Sequence, residues 1–200
     1  MIKEIEKFKD YDFTLEGYIQ EHSRVLAKLD LKALDEAINV VSEAFERGSK
    51  IVTCGNGGSA STASHYITDW AKMINLNTGE KFRGFCMADN IGLVTAYGND
   101  LAYEDIFSGQ CAALLDDGDL LVAVSGSGNS PNIIKALDRA NEMGAVTLGV
   151  LGYDGGMALD RAQHTFLVPS FDMQVCEDIH LMFGHMVMKT LCGLGIRGVK

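Results

Sequence analysis

No run of apolar residues in this chain approaches the ~20 that a helix needs to cross a bilayer, so a membrane-spanning protein is not expected. The opening stretch, MIKEIEKFKDYDF, is charged and has no apolar core, which argues against a secretory signal and for residence in the cytoplasm. The five cysteines (Cys54, Cys86, Cys111, Cys176 and Cys192) are odd in number, scattered and free of any CxxC pair. That spacing excludes a zinc ribbon or a dithiol redox motif, and in a reducing compartment such residues read as small buried hydrophobes. Basic charge is also scarce: 17 Lys and Arg against 27 Asp and Glu leave a net charge of −10. With no basic patch in view, a nucleic-acid partner is not expected. Internal repeats, linkers and low-complexity segments are missing as well.

Two hundred residues, 47% of them hydrophobic, suffice for one globular domain with a substantial core. Helical periodicity opens the chain in FTLEGYIQEHSRVLAKL and again in LKALDEAINVVSEAFERG, with Asp30 placed to cap the second helix and Gly48 to stop it. Residues 50–54 (KIVTC) read as a buried strand, and a helix of about fifteen residues is expected from Ser59. RGFCMA reads as a strand, YEDIFSGQCAALL as a helical stretch and DLLVAVS (119–125) as the clearest strand of all. SPNIIKALDRANEMG is a helix with Ser130 at the N-cap and Pro131 at N1. AVTLGVLGY is a strand, GMALDRA a short helix, HTFLVPS a strand, and residues 172–193 a long final helix. Apolar strands alternating with helices predict an α/β domain: a doubly wound parallel sheet of five strands covered on both faces, with an N-terminal helical extension over 1–48 and the α/β core over 49–200.

Two loops stand where such a fold places its ligands, between a strand and the following helix. GNGGS (55–59) brings helix N-terminal amides and the positive end of a helix dipole to an anion. Gly55-x-Gly57 followed by Ser59 and Ala60 also leaves a dinucleotide reading open, and a tight turn with no ligand is the bland alternative. SGSGNSPN (125–132) adds three hydroxyls, Ser125, Ser127 and Ser130, beside further helix amides. Hydroxyls and free N–H groups bind a phosphate monoester without Lys or Arg, which suits an acidic chain. A plain Ser N-cap explains Ser130 but leaves Ser125 and Ser127 without a purpose, and a dinucleotide domain has no use for this loop.

His65 and Asp69 are four apart on the helix after the first loop and share a face. Glu177 and His185, eight apart on the final helix, lie about 80° apart around the axis, while His180 is about 140° from His185 and faces elsewhere. Two imidazoles and two carboxylates from two helices form either a zinc-type site or a proton-transfer set; each alone reads equally as a hydrogen-bonded structural residue.

CGNGGSAxxxxH, TAYGND (95–100), SGSGNSPNIIKAL and EDIHLMFGH occur in an order and spacing that resemble the sugar isomerase (SIS) domain family, most of all its phosphoheptose isomerases. The resemblance spans nearly the whole chain. It implies a flavodoxin-like sheet and a homotetramer with active sites between subunits. The implied reaction converts sedoheptulose 7-phosphate to D-glycero-D-manno-heptose 7-phosphate through an enediol, for heptose-containing glycoconjugates. By position, Asn56, Gly57, Gly58 and Ser59 meet the substrate, Asn99 and Asp100 bind the sugar chain, and Ser125, Gly126, Ser127 and Ser130 hold the phosphate. His65, Asp69, Glu177 and His185 fall on the zinc ligands, with Glu177 also at a substrate position; Asp69 and His185 fall on the acid/base pair.

The chain departs from the family at four places. Asp69 stands where Glu is usual, Glu177 where Gln is usual, SGS where STS is common, and Met73 beside Lys72 replaces a basic residue. A non-enzymatic phosphosugar regulator is the alternative within the same family; such proteins tend to lose the acid or the last histidine, and this chain keeps both. A nucleotide-dependent oxidoreductase is weaker still, because Asp89 lies about 30 residues past the glycines where about 20 is expected. No nucleotide cofactor is expected.

Overall fold

The computed structural model describes residues 14–194. The opening stretch read above as no signal, and the outer ends of the 1–48 and 49–200 segments, lie outside the described residues. Five parallel strands form one sheet: β1 (Ile51–Gly55), β2 (Gly84–Cys86), β3 (Leu120–Ser125), β4 (Val146–Leu151) and β5 (His164–Leu167), in the order β2-β1-β3-β4-β5. The order reverses direction between β1 and β3, and the carboxyl ends of those two strands carry the glycine and serine loops.

The α-helices are α1 (Leu15–Leu26), α2 (Leu31–Glu46), α3 (Gly58–Thr78), α4 (Ile91–Asp100), α5 (Ser108–Leu114), α6 (Pro131–Glu142) and α7 (Met173–Leu191). Alternation along the strands sends Ile51, Leu120, Val122, Val124, Leu148, Val150 and Phe166 to one core, with residues of α2, α3 and α7. Val52, Cys54, Leu121 and Ala123 go to the second core, with Cys111 of α5 and Ile133, Ala136 and Leu137 of α6. The doubly covered parallel sheet is thus present. Asp30 caps α2 as expected, its carboxylate accepting from the N–H groups of Lys32 and Ala33 at 2.9 and 3.1 Å.

Three element readings change. α3 runs 21 residues, to Gly79 in the left-handed conformation, where about fifteen were expected. The stretch YEDIFSGQCAALL divides into a 3₁₀ turn (Tyr103–Asp105) and the short α5, and GMALDRA forms a 3₁₀ turn over Gly156–Asp160. α4 was not foreseen. It contains Gly92 and Gly98 with β-branched Val94 and Thr95, all weak helix formers, and buries none of its residues fully; Val94 and Tyr97 pack, partly buried, against the second core. Asn90 holds its start by accepting from the Leu93 N–H at 3.1 Å.

The packing of α3 on α7 positions the site. Tyr66 stacks on Trp70 with ring centroids 4.9 Å apart, and Phe183 meets Tyr66 and Phe166 at 6.0 and 5.4 Å. The Tyr66 hydroxyl donates to the His180 carbonyl (2.5 Å), and the Trp70 indole N–H donates to the Gly184 carbonyl (2.9 Å). A Cβ on Gly184 would lie 2.3 Å from the Tyr66 ring, so only glycine lets the helices approach this closely. α1 is tied to α7 by Asp178, which accepts from the Tyr18 hydroxyl at 2.8 Å and lies 2.9 Å from His22 Nε2.

Candidate active site

His65 and Asp69 leave the same face of α3, and the close crossing at Gly184 brings His185 of α7 against them. His65 Nε2 lies 3.2 Å from His185 Nε2 and 3.4 Å from Asp69 Oδ2, and His185 Nε2 lies 3.6 Å from the same oxygen. Each of the three offers a donor atom within 4.8 Å of the others. For bonds of 2.0–2.1 Å to a tetrahedral zinc ion, ligand atoms stand about 3.3 Å apart, so three edges of such a tetrahedron are already set. Two imidazoles and a carboxylate are also a donor set suited to that ion. The side chains of His65 and His185 are 42% and 44% exposed, so the cluster opens outward. A cleft of about 450 Å³ beside it is lined by Ser61, Ser64, His65, Thr68 and Asp89 among others.

Glu177 stands outside the three-donor group. Two turns earlier on α7, its carboxylate packs against Gly58, where an added Cβ would fall 2.4 Å from Oε2. Partial burial, and secondarily the neighbouring charge of Asp178, raise the Glu177 carboxyl above its ordinary range. His180 sits on the inward face of α7 with no exposure, and burial pushes its imidazole down to about 4. It is neutral at physiological pH and turned away from the donors.

The glycine loop runs directly from β1 into α3. Gly57 takes φ 53° and ψ −121°, a conformation open to glycine, and α3 begins at Gly58 without a side-chain cap; the Ala60 N–H turns back to the Asn56 and Gly57 carbonyls and that of Ser61 to Gly57. Gly55 is forced for another reason: a Cβ there would lie 2.4 Å from the Ser59 carbonyl. Ser59 itself is buried.

In the serine loop, Ser125 Oγ accepts from the Gly128 N–H (3.1 Å) and Ser127 Oγ accepts from the Asn129 N–H (3.3 Å). Both hydroxyls therefore shape the loop as acceptors while keeping a hydrogen to donate. Ser130 occupies the N-cap of α6, but its side chain makes no capping bond. Gly126 is open, with only Met173 near the position of a Cβ. The loop is braced by the 152–158 segment: the Ala158 N–H donates to the Gly128 carbonyl (2.9 Å), and Asn129 Oδ1 accepts from the Met157 N–H (3.0 Å).

The remaining predicted residues separate. Asn99 donates to Asp100 (2.9 Å) at the C-terminal end of α4, where both are exposed on a different element from either loop. Asn56 is engaged by two residues that spacing did not reveal. Its amide pairs with that of Asn132 and accepts a third bond from the Tyr103 hydroxyl. An Asn just inside a helix start reads as ordinary helix-start chemistry, and neither partner is local in sequence.

A parallel sheet with two helix heads at its point of reversal, one offering glycines and the other hydroxyls, defines a doubly wound α/β domain of the kind that binds ligands at this edge. Residues 17–152 match the SIS domain. The phosphoheptose isomerase of Aliarcobacter butzleri is 33% identical over 173 residues, covering 85% of this chain and 91% of that one. That of Maridesulfovibrio salexigens is 40% identical over 139 residues, covering 70% and 67% respectively. The solved structure of phosphoheptose isomerase from Neisseria gonorrhoeae superposes with a TM-score of 0.81 at 26% identity, over 88% of this chain and 96% of that one. The chain belongs to the SIS-domain family and, within it, to the phosphoheptose isomerases.

Proposed function

We propose that the protein is an aldose–ketose isomerase that converts sedoheptulose 7-phosphate to D-glycero-D-manno-heptose 7-phosphate, supplying heptose for glycoconjugates. The observation that carries this reading is the convergence of His65, Asp69 and His185 from two helices, one of which, α3, begins at the glycine loop. Hydroxyl hydrogens of Ser125, Ser127 and Ser130 bind the phosphate. This anchors the substrate by a group remote from the reaction and sets its carbonyl end toward α3. Gly57, Gly58, Ser59 and Glu177 line that end, and Asn99 and Asp100 take part in holding the chain.

Isomerisation removes a proton from C1 of the ketose, moves a hydroxyl proton from O1 to O2 and returns a proton to C2 through the cis-enediol. Asp69 and His185 are the acid/base pair. Asp69 directs Oδ2 at both imidazoles, which leaves Oδ1 for the carbon-bound proton. His65, Asp69 and His185 would hold a zinc ion, which when bound supplies Lewis acidity toward the substrate oxygens. Glu177, two turns back on α7, adds negative charge at the glycine-loop end of the site.

Open imidazoles and an open cleft are poorly suited to an enediol that must be kept from water, which favours a homotetramer in which a neighbouring subunit closes the site. Exposed Leu15, Ile19, Leu76 and Ile91 on helical surfaces offer apolar area for that assembly. Cysteines that are all free, four of them buried, fit the reducing cytoplasm, and no described helix is long and apolar enough to cross a membrane.

The test is to incubate the purified protein with sedoheptulose 7-phosphate, with and without chelator, and follow the aldose by NMR. The aldose is expected to appear and chelation to slow it. Ligand-induced stabilisation without turnover would instead identify a phosphosugar-binding regulator.

A further inference from the structure

Asn132 is the second residue of α6 and is 1% exposed. Its side chain faces that of Asn56 in a reciprocal amide pair. Asn56 Nδ2 donates to Asn132 Oδ1 at 2.9 Å, and Asn132 Nδ2 donates to Asn56 Oδ1 at 2.8 Å. The Tyr103 hydroxyl donates to the same Asn56 oxygen at 3.1 Å. Asn56 lies in the glycine loop that heads α3; Asn132 lies at the head of α6, directly after the serine loop. One amide pair, its Asn132 member buried and its Asn56 member half-buried, therefore joins the two helix heads across the reversal between β1 and β3.

Folding of either helix does not call for this pair. α6 begins with Ser130 at the N-cap and Pro131 at N1, and the Asn132 side chain points across to the other loop rather than back to its own turn. Apolar side chains of similar shape would pack two loops together just as well, but without fixing their orientation. Two matched donors and acceptors do fix it, because each amide satisfies the other only in one relative placement.

We infer that Asn132 is a positioning residue for the isomerisation. It does not touch the substrate; it sets the glycine loop, and with it α3 and Asp69, at a defined distance from the phosphate-holding serines. The inference rests on the isomerase reading, in which phosphate and reacting carbons occupy those two loops. A misplacement of about 1 Å between anchored substrate and reacting groups is enough to cost about 10²-fold in rate.

The test compares wild type, Asn56→Ala, Asn132→Ala and the double variant on sedoheptulose 7-phosphate, with inorganic phosphate as a competing ligand and thermal melting as a control for folding. Asn132→Ala is expected to lower kcat about 10- to 100-fold, while KM and the inhibition constant of phosphate stay within about threefold. Because both residues act through one pair, the double variant is expected to be no worse than the poorer single variant. Asn132→Asp, which keeps one acceptor for Asn56 Nδ2, is expected to recover part of the rate, and it carries the test if the alanine variant does not fold. The inference is overturned if Asn132→Ala and Asn132→Asp keep kcat within twofold of wild type. It is equally overturned if the loss appears in phosphate affinity rather than kcat, or if the two single losses multiply. A wild-type protein inactive on sedoheptulose 7-phosphate would overturn the isomerase reading and this inference together, whereas an active wild type with an indifferent Asn132 overturns the inference alone.

Discussion

α7 carries two histidines five residues apart, and its two faces give them opposite chemistry. On the inward face, His180 lies among Val175, Cys176, Ile179, Phe183 and Val187, all buried. There the charged imidazole has lost its hydration, and the ring is held neutral well below physiological pH. On the outward face, His185 keeps nearly half its side-chain surface and meets Asp69 and His65. The residue type is the same; what assigns one to structure and the other to chemistry is the surface that α7 presents on each side. Gly184 sits at the boundary, since the close approach it permits both seals the inward face and delivers His185 to α3.

The largest effect is expected on the outward face. His185→Ala removes one of the acid/base pair and one of three donors, and turnover is expected to fall by about 10³-fold, within the range usual for a lost proton-transfer group. Melting temperature and binding of sedoheptulose 7-phosphate, measured by calorimetry, should change little, because the side chain is half exposed and the phosphate is held elsewhere. Full activity in this variant would remove His185 from the reaction.

The inward histidine should show itself in stability and not in rate. His180 titrates at about 4 when folded and near 6.5 when unfolded, so below pH 6.5 the unfolded chain binds the extra proton. Its contribution is therefore fully present above pH 6.5 and is lost as pH falls toward 4, a change of roughly 3 kcal/mol. Urea unfolding of wild type and His180→Leu between pH 7.5 and 4 should give a flatter pH dependence for the variant, with isomerase activity retained at pH 7.5. Equal slopes would mean that His180 finds a proton partner in the folded chain.

Gly184→Ala probes the boundary itself. Alanine is the better helix former by about 1 kcal/mol, yet its Cβ would press into a Tyr66 ring that is fully buried and stacked on Trp70, so the ring cannot step aside. A net destabilisation of about 1–2 kcal/mol by urea titration is expected, together with a fall in turnover as His185 moves from Asp69. Loss of stability without loss of rate would show that the donor cluster tolerates a shift of the helices.

Much of this comparison was legible in the sequence because it follows from periodicity. Apolar runs gave the parallel strands, the strand–loop–helix order put GNGGS and SGSGNSPN at one edge, and four-residue spacing put His65 and Asp69 on one face. The long-range features were not legible. Asn132 and Tyr103 lie 76 and 47 residues from Asn56, and no local pattern reports such pairs. α4 turns Val94 and Tyr97 to the second core, a pair too short to read as a stripe. Gly184 was available as a signal, since a glycine inside a helix implies close packing when nothing else explains it. Helical angle says which side a residue shares but not how far along it lies: eight residues separate Glu177 from His185 by about 12 Å of axis. That axial gap is where the angular reading of the four-residue set stopped short of the observed three-donor cluster.

Glu177 gives the smallest and sharpest test, because it sits on the outward side yet behaves partly like the inward one. Its carboxylate is half withdrawn against Gly58 at the head of α3, with a raised proton affinity caused first by burial. Glutamine has the same shape and would fill the same space, so Glu177→Gln removes the charge and little else. If that charge reinforces the donors further along α7, zinc affinity, measured by competition with a chromophoric chelator, should weaken by about tenfold, the lower end of what neighbours of a metal ligand contribute. If affinity holds within twofold while KM for sedoheptulose 7-phosphate changes, Glu177 belongs to the substrate loop alone, and α7 divides into three functional sectors: a buried face, a donor face and a loop contact.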